Sequence, residues 1–254
     1  DEKTLKKEMK NHQFVFHLAA NSDIPAGLKK SKLDFNSNVI GTINVLESMV
    51  KNNIKQFAYS SSSAVFGYPS KFPTSEEYGP CLPESLYGAS KLATEGYISA
   101  YANLHNIKSW IFRFANITGI PATHGIIFDF VKKSKKPTKN LEVLGNGMQK
   151  KVYLTNELLV DAILFLIKKT IKNKKSVMIY NIGNSDAISI KTIAEIFIKE
   201  TKSNKKISYT GGIGGWKGDV HKMRLDIKKI IAEGWSPKMN SKQCIINSIK
   251  NNLT

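Results

Sequence analysis

Tyr87 and Lys91 stand four residues apart in the run Tyr87-Gly88-Ala89-Ser90-Lys91. On a helix this spacing puts a phenol and an ammonium on one face. A cation beside a phenol favours the phenolate and lowers its pKa from roughly 10, which makes Tyr a usable general base near neutral pH. The spacing alone is a weak signal, because a chain this rich in lysine yields about one such pair by chance. Context strengthens it. Four hydroxyls, Ser60-Ser61-Ser62-Ser63, follow an apolar segment at residues 55–59. Ligands of an open parallel sheet bind at the carboxyl ends of its strands. Ser62 at such a tip can hydrogen-bond the same substrate oxygen that Tyr87 deprotonates. Leu18-Ala19-Ala20 end an earlier apolar run and offer small residues that let a flat cofactor approach the backbone. The bland alternatives are a turn that caps the strand at the serines and a tight strand-to-loop turn at the alanines.

These groups need a scaffold. Apolar runs at residues 14–18, 55–60 and 107–114 read as strands. Between them, Val39, Ile43, Leu46 and Val50 recur at helical spacing within residues 35–53, and residues 84–106 form a long helix. Strands separated by helices imply right-handed crossovers and a parallel sheet covered on both faces, an α/β fold. A Pro-rich loop with Pro69, Pro73, Pro80 and Pro83 separates the serines from the Tyr helix. A further helix opens the chain, over residues 1–11. The second half is less regular. Helices are expected at 125–136, 156–172, 189–202, 226–233 and 241–251, with strands at 141–144, 152–154 and 177–182. The weaker alternation divides the chain into a sheet domain over residues 1–120 and a smaller lobe over 121–254, with residues of about 152–182 returning to the sheet.

Composition narrows the function classes. The chain has 254 residues, 41% of them hydrophobic, with 17 Gly and 8 Pro, so disorder and low-complexity arrays are excluded. No apolar run reaches the roughly 18 residues a membrane helix needs. Cys81 and Cys244 are isolated, and His12, His17, His105, His124 and His221 are scattered, so neither a disulfide scaffold nor a metal site is expected. A reducing, cytoplasmic location fits. The formal charge is +18, yet only Arg113 and Arg224 of the 38 basic residues are arginines. Proteins that read bases or clamp phosphates usually recruit Arg for its planar fork. The lysines therefore read as solvated faces that attract anions generally, and no specific nucleic-acid partner is expected. His17, at a strand end, reads as a packed core residue. Asp161, within an apolar helix, is expected to pair with a buried donor. The loop Gly211-Gly212-Ile213-Gly214-Gly215 lacks the strand–Gly–helix context of a phosphate cradle.

Taken together the motifs resemble the extended short-chain dehydrogenase/reductase superfamily and, within it, the NAD-dependent nucleotide-sugar epimerases and dehydratases. The matching segments are FHLAA at residues 16–20, NVIGTINVLE at 38–47, YSSSSAVFG at 59–67, YGASK at 87–91, RFANITG at 113–119, LGNGMQKK at 144–151 and WKGDV at 216–220. Each is weak alone; the ordered set is strong.

The resemblance implies a Rossmann-like sheet with a smaller α/β substrate-binding lobe. It implies Tyr87 as acid/base, Lys91 as its electrostatic partner and ribose ligand, and Ser62 as the group that holds the sugar hydroxyl. Leu18, Ala19, Ala20, Asn38, Ser60, Ser61 and Ala115 would join Tyr87 and Lys91 in lining NAD. Ser63, Asn116, Lys151, Trp216 and Asp219 would join Ser62 on the nucleotide sugar, a UDP-hexose. The implied reaction inverts C4 through hydride transfer and a 4-keto sugar. Related dehydratases carry an acidic pair in the hydroxyl segment, whereas this one reads Ser62-Ser63-Ala64-Val65, which favours an epimerase. A dehydratase, reductase or decarboxylase on the same scaffold, or a non-catalytic anion binder, are the rivals. A homodimer is implied through the helices near residues 38–53 and 85–105.

The pattern departs from the family in places. No G-x-x-G-x-x-G precedes the first strand; the first Gly is Gly27. The expectation is an incomplete member whose amino-terminal strands are missing, with the FHLAA strand at a free sheet edge. The residue that selects NAD over NADP would lie in that part, so NADP stays open. Lys151-Val152 replaces the family's Arg-Asp, Thr155-Asn156-Glu157 its Tyr-x-Asp, and Trp216-Lys217 its Arg-Pro.

Overall fold

The computed structural model describes residues 1–120, 124–215, 220 and 222–253. The chain forms two compact units. The first comprises Asp1–Pro69, Glu76–Phe114 and Ile167–Asn181; the second comprises Ser70–Ser75, Ala115–Leu166 and Ile182–Thr254.

The first unit is built on a four-stranded sheet. Strands β1 (Phe14–His17), β2 (Gln56–Ser60) and β3 (Lys108–Phe114) run parallel, and β8 (Val177–Ile182) lies beside β3, in the order β1-β2-β3-β8. β1 thus lies at one edge. Phe57, Ala58 and Tyr59 of β2 and Trp110, Ile111 and Phe112 of β3 are all buried. Such unbroken apolar runs belong to parallel strands covered on both faces. Helix α1 (Glu2–Glu8) precedes β1 and packs on α4. Between β1 and β2 come α2 (Ile24–Lys29), α3 (Lys32–Asp34), a π-helical turn over Phe35–Ile40, and α4 (Gly41–Lys51). The π turn merges with α3 and α4 into one helical run, with Asn38 and Val39 facing inward. Val45, Leu46 and Met49 of α4 join Ile54, Phe57, Tyr59, Ile98, Ile107 and Ile111 in one core cluster.

Helix α5 (Leu86–His105) carries the Tyr–Lys pair. Ser85 caps its start by accepting a hydrogen bond from the Gly88 N–H at 3.1 Å, and Asn106 ends it in the left-handed conformation. Just after β2, Ser62 caps a 3₁₀ turn over Ser63–Phe66, accepting from the Ala64 N–H at 3.1 Å. Gly67 then turns the chain with φ +62°, where an added Cβ would stand 1.8 Å from the Leu82 carbonyl oxygen. Only glycine fits there.

Among its described residues the second unit contains three short strand pairs. β4 (Asn116–Thr118) pairs in parallel with β7 (Tyr153–Thr155), and β5 (Asn140–Val143) with β10 (Lys206–Tyr209). β6 (Lys150–Lys151) pairs antiparallel with β9 (Ile188–Ser189). Its helices are α6 (Ile126–Ser134), the first turns of α7 (Asn156–Thr170), α8 (Ile190–Glu200), α9 (Lys228–Glu233) and α10 (Ser241–Asn251). α10 opens with a reciprocal capping box between Asn240 and Gln243 and packs on α8 and β7. Asp161 accepts from Trp235 Nε1 at 2.7 Å, which gives it the indole partner in place of a catalytic one. Among the described residues no helix is long and apolar enough to cross a membrane, and no group of His, Cys, Asp and Glu could hold a metal ion.

The expected long elements are present, with ends displaced by one or two residues, except that α1 stops at Glu8, three residues short of its expected end. The short β4, β6, β9 and β10 and the short helices α2 and α3 were not expected from the sequence, because pieces of two to six residues carry no readable period.

Candidate active site

Two elements bring the chemistry together, the tip of β2 and the first two turns of α5. Tyr87 and Lys91 lie one turn apart on the inner face of α5. Their approach to the serines depends on Gly88. A Cβ at that position would stand 2.5 Å from the Ala64 carbonyl oxygen and 3.1 Å from Pro83 Cβ. With hydrogen there instead, α5 lies directly against the 3₁₀ turn that follows Ser62.

Lys91 is 2% exposed, an unusual place for an ammonium. Its Nζ donates to the Ser60 carbonyl oxygen at 2.7 Å. It also lies 4.7 Å from the Tyr59 ring centroid and 5.8 Å from that of Tyr87, within reach of cation–π attraction. Burial draws its pKa down to about 8, and the Glu95 carboxylate opposes that fall. The ammonium therefore keeps its proton at neutral pH. Two of its hydrogens remain for other acceptors.

Tyr87 differs from expectation. Burial pushes its phenol above the ordinary value, Asp34 adds to the rise, and a hydrogen bond with Ser62 pulls the other way. Desolvation outweighs the hydrogen bond here. In this state the phenol holds its proton, and only groups that favour the phenolate can turn it into a base.

The strand tips complete the floor. Ser60 Oγ donates to the His17 carbonyl oxygen at 3.3 Å, tying β2 to β1. His17 is buried and its Nε2 lies 2.9 Å from Thr42 Oγ1. The Thr42 hydroxyl donates its hydrogen to the Asn38 carbonyl oxygen at 2.5 Å, so it accepts from a protonated His17 Nε2. Burial, then the nearby Lys91 charge, lowers the His17 pKa to about 4, so the ring is neutral. Asn38, fully buried in the π turn, fixes the loop after β1. Its Oδ1 accepts from the Asn21 N–H at 2.8 Å and its Nδ2 donates to Ser90 Oγ at 2.9 Å. Asn21 Nδ2 in turn donates to Asp34 Oδ1 at 2.7 Å.

The other sequence candidates are placed as follows. Leu18 is exposed, and Ala19, Ala20 and Asn21 line a cavity of about 550 Å³ together with His17, Ser37 and Gly41. Ser63 is half-buried at the start of the 3₁₀ turn. Ser61, expected to line a cofactor, is instead fully buried and donates its hydroxyl to Glu95, so its side chain faces the protein interior. In the second unit, Ala115 is buried with its N–H on the Ile182 carbonyl oxygen at 3.1 Å. Asn116 Nδ2 donates to the Val152 carbonyl oxygen at 3.1 Å, and Lys151 Nζ to that of Val220 at 2.7 Å. Trp216 and Asp219 lie outside the described residues.

Sequence reasoning passed over Asn38's partner Ser90, Gly88 and Glu95. Gly88 and Ser90 sit inside the Tyr–Lys run itself, and Glu95 repeats its four-residue step once more, which is the signal that could have found them.

The chemistry of the set is specific. A phenol, a hydroxyl and a buried ammonium on one face can hold an alcohol oxygen and shuttle its proton while a ketone forms and disappears. The spare hydrogens of Lys91 can be given to the hydroxyl oxygens of a bound ligand.

The model of the NAD dependent epimerase/dehydratase family matches residues 1–183. A Methanocaldococcus jannaschii protein assigned provisionally as a UDP-glucose 4-epimerase is 31% identical over 97% of this chain and 80% of its own length. A crystal structure of a UDP-galactose 4-epimerase superposes with a TM-score of 0.88 at 32% identity, covering 98% of this chain and 81% of that one. The UDP-glucose 4-epimerase of Thermotoga maritima, solved with UDP-glucose, superposes with a TM-score of 0.86 at 25% identity, covering 99% of this chain and 81% of that one.

Proposed function

The chain belongs to the NAD-dependent epimerase/dehydratase family, and from that premise we propose that it inverts C4 of a nucleotide sugar, a UDP-hexose. The observation that carries the reading is the convergence of Ser62, Tyr87 and Lys91 on one face, with Lys91 anchored at the β2 tip.

When bound, NAD supplies the hydride sink and source that turns the C4 alcohol into a ketone and back. Leu18, Ala19 and Ala20, with Asn38 behind them, would line that cofactor, and Lys91 would hold its ribose. Ser62 would hold the C4 hydroxyl by hydrogen bonding. Tyr87 takes the hydroxyl proton as the ketone forms and returns it when the alcohol is restored. Lys91 and Ser62 would stabilise the phenolate that Tyr87 must be before it takes that proton and becomes again once it has returned it. Epimerisation needs no elimination of water. That agrees with a hydroxyl segment without acids, and with Glu95, the carboxylate closest behind it, held by Arg113 and Ser61. Asn116, Lys151, Trp216 and Asp219 are proposed for the nucleotide and its phosphates.

A homodimer through α4 and α5 is part of the proposal. Ile40 beside α4, and Leu86, Tyr97 and Leu104 on α5, are large apolar residues left exposed.

The test is incubation with NAD and either UDP-galactose or UDP-N-acetylgalactosamine, followed by NMR of the sugar ring. Inversion at C4 is expected; retention of configuration with both sugars would overturn the reading.

A further inference from the structure

Glu95 continues the line that Tyr87 and Lys91 begin, one more turn along α5. It is 6% exposed. Oε1 accepts from the Ser61 hydroxyl and from Arg113 Nε at 3.0 Å; Oε2 accepts from Arg113 Nη2 at 2.6 Å. Arg113 is buried too. Its Nη1 donates to the Glu76 carbonyl oxygen at 3.3 Å, and its guanidinium lies 4.8 Å from the centroid of the Phe66 ring. Phe66 closes the 3₁₀ turn that Ser62 caps.

The consequence for the serines is direct. The Ser61 N–H donates to the Phe112 carbonyl oxygen at 2.8 Å, so β3 holds its backbone while Glu95 holds its side chain. The next residue is Ser62. One turn back along the helix stands Lys91, whose charge Glu95 supports. A buried ion pair is poor evidence for stability, since an apolar pair of similar volume often serves as well. Its placement between two reacting groups supplies a different reason for it.

We propose that Glu95 is a positioning residue of the active site: clamped by Arg113, it fixes Ser62 through Ser61 and sustains the Lys91 ammonium beside Tyr87. This rests on the reading that Ser62, Tyr87 and Lys91 act together on a sugar hydroxyl.

The groups facing Lys91 are His17 of β1, Tyr59 of β2, and Tyr87 and Glu95 of α5. Arg113 of β3, with Glu76 and Cys81 near it, is bonded to Glu95, and Asp34 acts on Tyr87. His17 is neutral above about pH 4 and both phenols are raised, so the anion that acts on Lys91 is Glu95.

The test is the pH dependence of unfolding for four proteins: the native sequence, Lys91→Met, Glu95→Gln and the double variant. The difference between each pair with and without Lys91 isolates the titration of that lysine. In the native background its midpoint lies at about 8. With Glu95→Gln it moves down by about one pH unit. A purely structural Glu95 would lower stability at every pH and leave the midpoint in place, which would overturn the proposal. If Glu95→Gln does not fold, Glu95→Leu with Arg113→Met replaces both charges and carries the same comparison. These measurements need neither cofactor nor sugar, so the failure of the epimerase reading cannot mimic the failure of this one. In turnover assays, kcat of Glu95→Gln should fall about tenfold or more with KM unchanged, and its alkaline limb should move to lower pH. A moved midpoint with unaltered turnover would also overturn the positioning role.

Discussion

Gly88 lies against the carbonyl of Ala64 so closely that a methyl group would stand 2.5 Å from that oxygen. The contact sets the distance between the Tyr87 helix and the turn capped by Ser62. It also explains why a helix-weakening residue occupies the first turns of α5.

Gly88→Ala should therefore destabilise the protein. Alanine gains about 1 kcal/mol of helix propensity. The clash with a backbone atom costs about 1–3 kcal/mol, because a main-chain carbonyl cannot swing aside as a side chain can. The net loss should appear as a lower urea midpoint, with turnover reduced more than the stability change alone explains. A variant as stable and as active as the native chain would show that α5 can shift freely.

Tyr87→Phe removes one hydroxyl from a site whose packing it does not hold. Turnover of a UDP-hexose with NAD should fall by about 10²- to 10⁴-fold, the range of a lost general acid/base, while the unfolding midpoint stays within experimental scatter. Ser62→Ala should lower turnover as well, and should also cost about 1 kcal/mol because the same hydroxyl caps the 3₁₀ turn. Near-native turnover in Tyr87→Phe would remove the phenol from the mechanism.

His17 makes the fold sensitive to acid. Its folded pKa is about 4 against an ordinary 6.5, lowered first by burial. As pH falls through 6.5 the unfolded chain takes up a proton that the folded chain refuses until about pH 4. Stability is thus lost across that window, by up to about 3 kcal/mol. Denaturant titrations at pH 7 and pH 4.5 should show a smaller drop for His17→Gln than for the native chain. Equal drops would place the acid sensitivity elsewhere.

Arg113→Met leaves Glu95 charged, buried and without its guanidinium. It should cost about 3–5 kcal/mol, whereas Glu95→Leu with Arg113→Met should cost much less than that. Chemical denaturation of the two variants decides; comparable losses would mean that the pair is worth more than its desolvation.

The sequence made the sheet and α5 legible because their apolar runs are long and periodic: Phe57-Ala58-Tyr59 and Trp110-Ile111-Phe112 are buried without interruption. It also singled out Tyr87 and Lys91, four residues apart on one helix, and Ser62 at the end of a strand. What it hid was long-range. Ser61 looked like its neighbours in a run of four hydroxyls, and only the fold shows that Glu95, 34 positions on, turns it inward. The expected fall in the Tyr87 pKa failed for a related reason, since spacing shows a cation but not the desolvation around it. Asn38 reaches Ser90 across 52 positions, a pairing that no window of sequence contains.

The π turn at Phe35–Ile40 accommodates one residue more than an α-helical turn would. Deleting a single residue there would heal the hydrogen-bond ladder and keep the phase of the flanking helices, but it would remove the wide turn on which Asn38 sits. Asn38 would lose its phase with Ser90, and the loop after β1 would come unlatched from α5. The wide turn itself, and not the helix on either side of it, is what holds the strand tip to its neighbour.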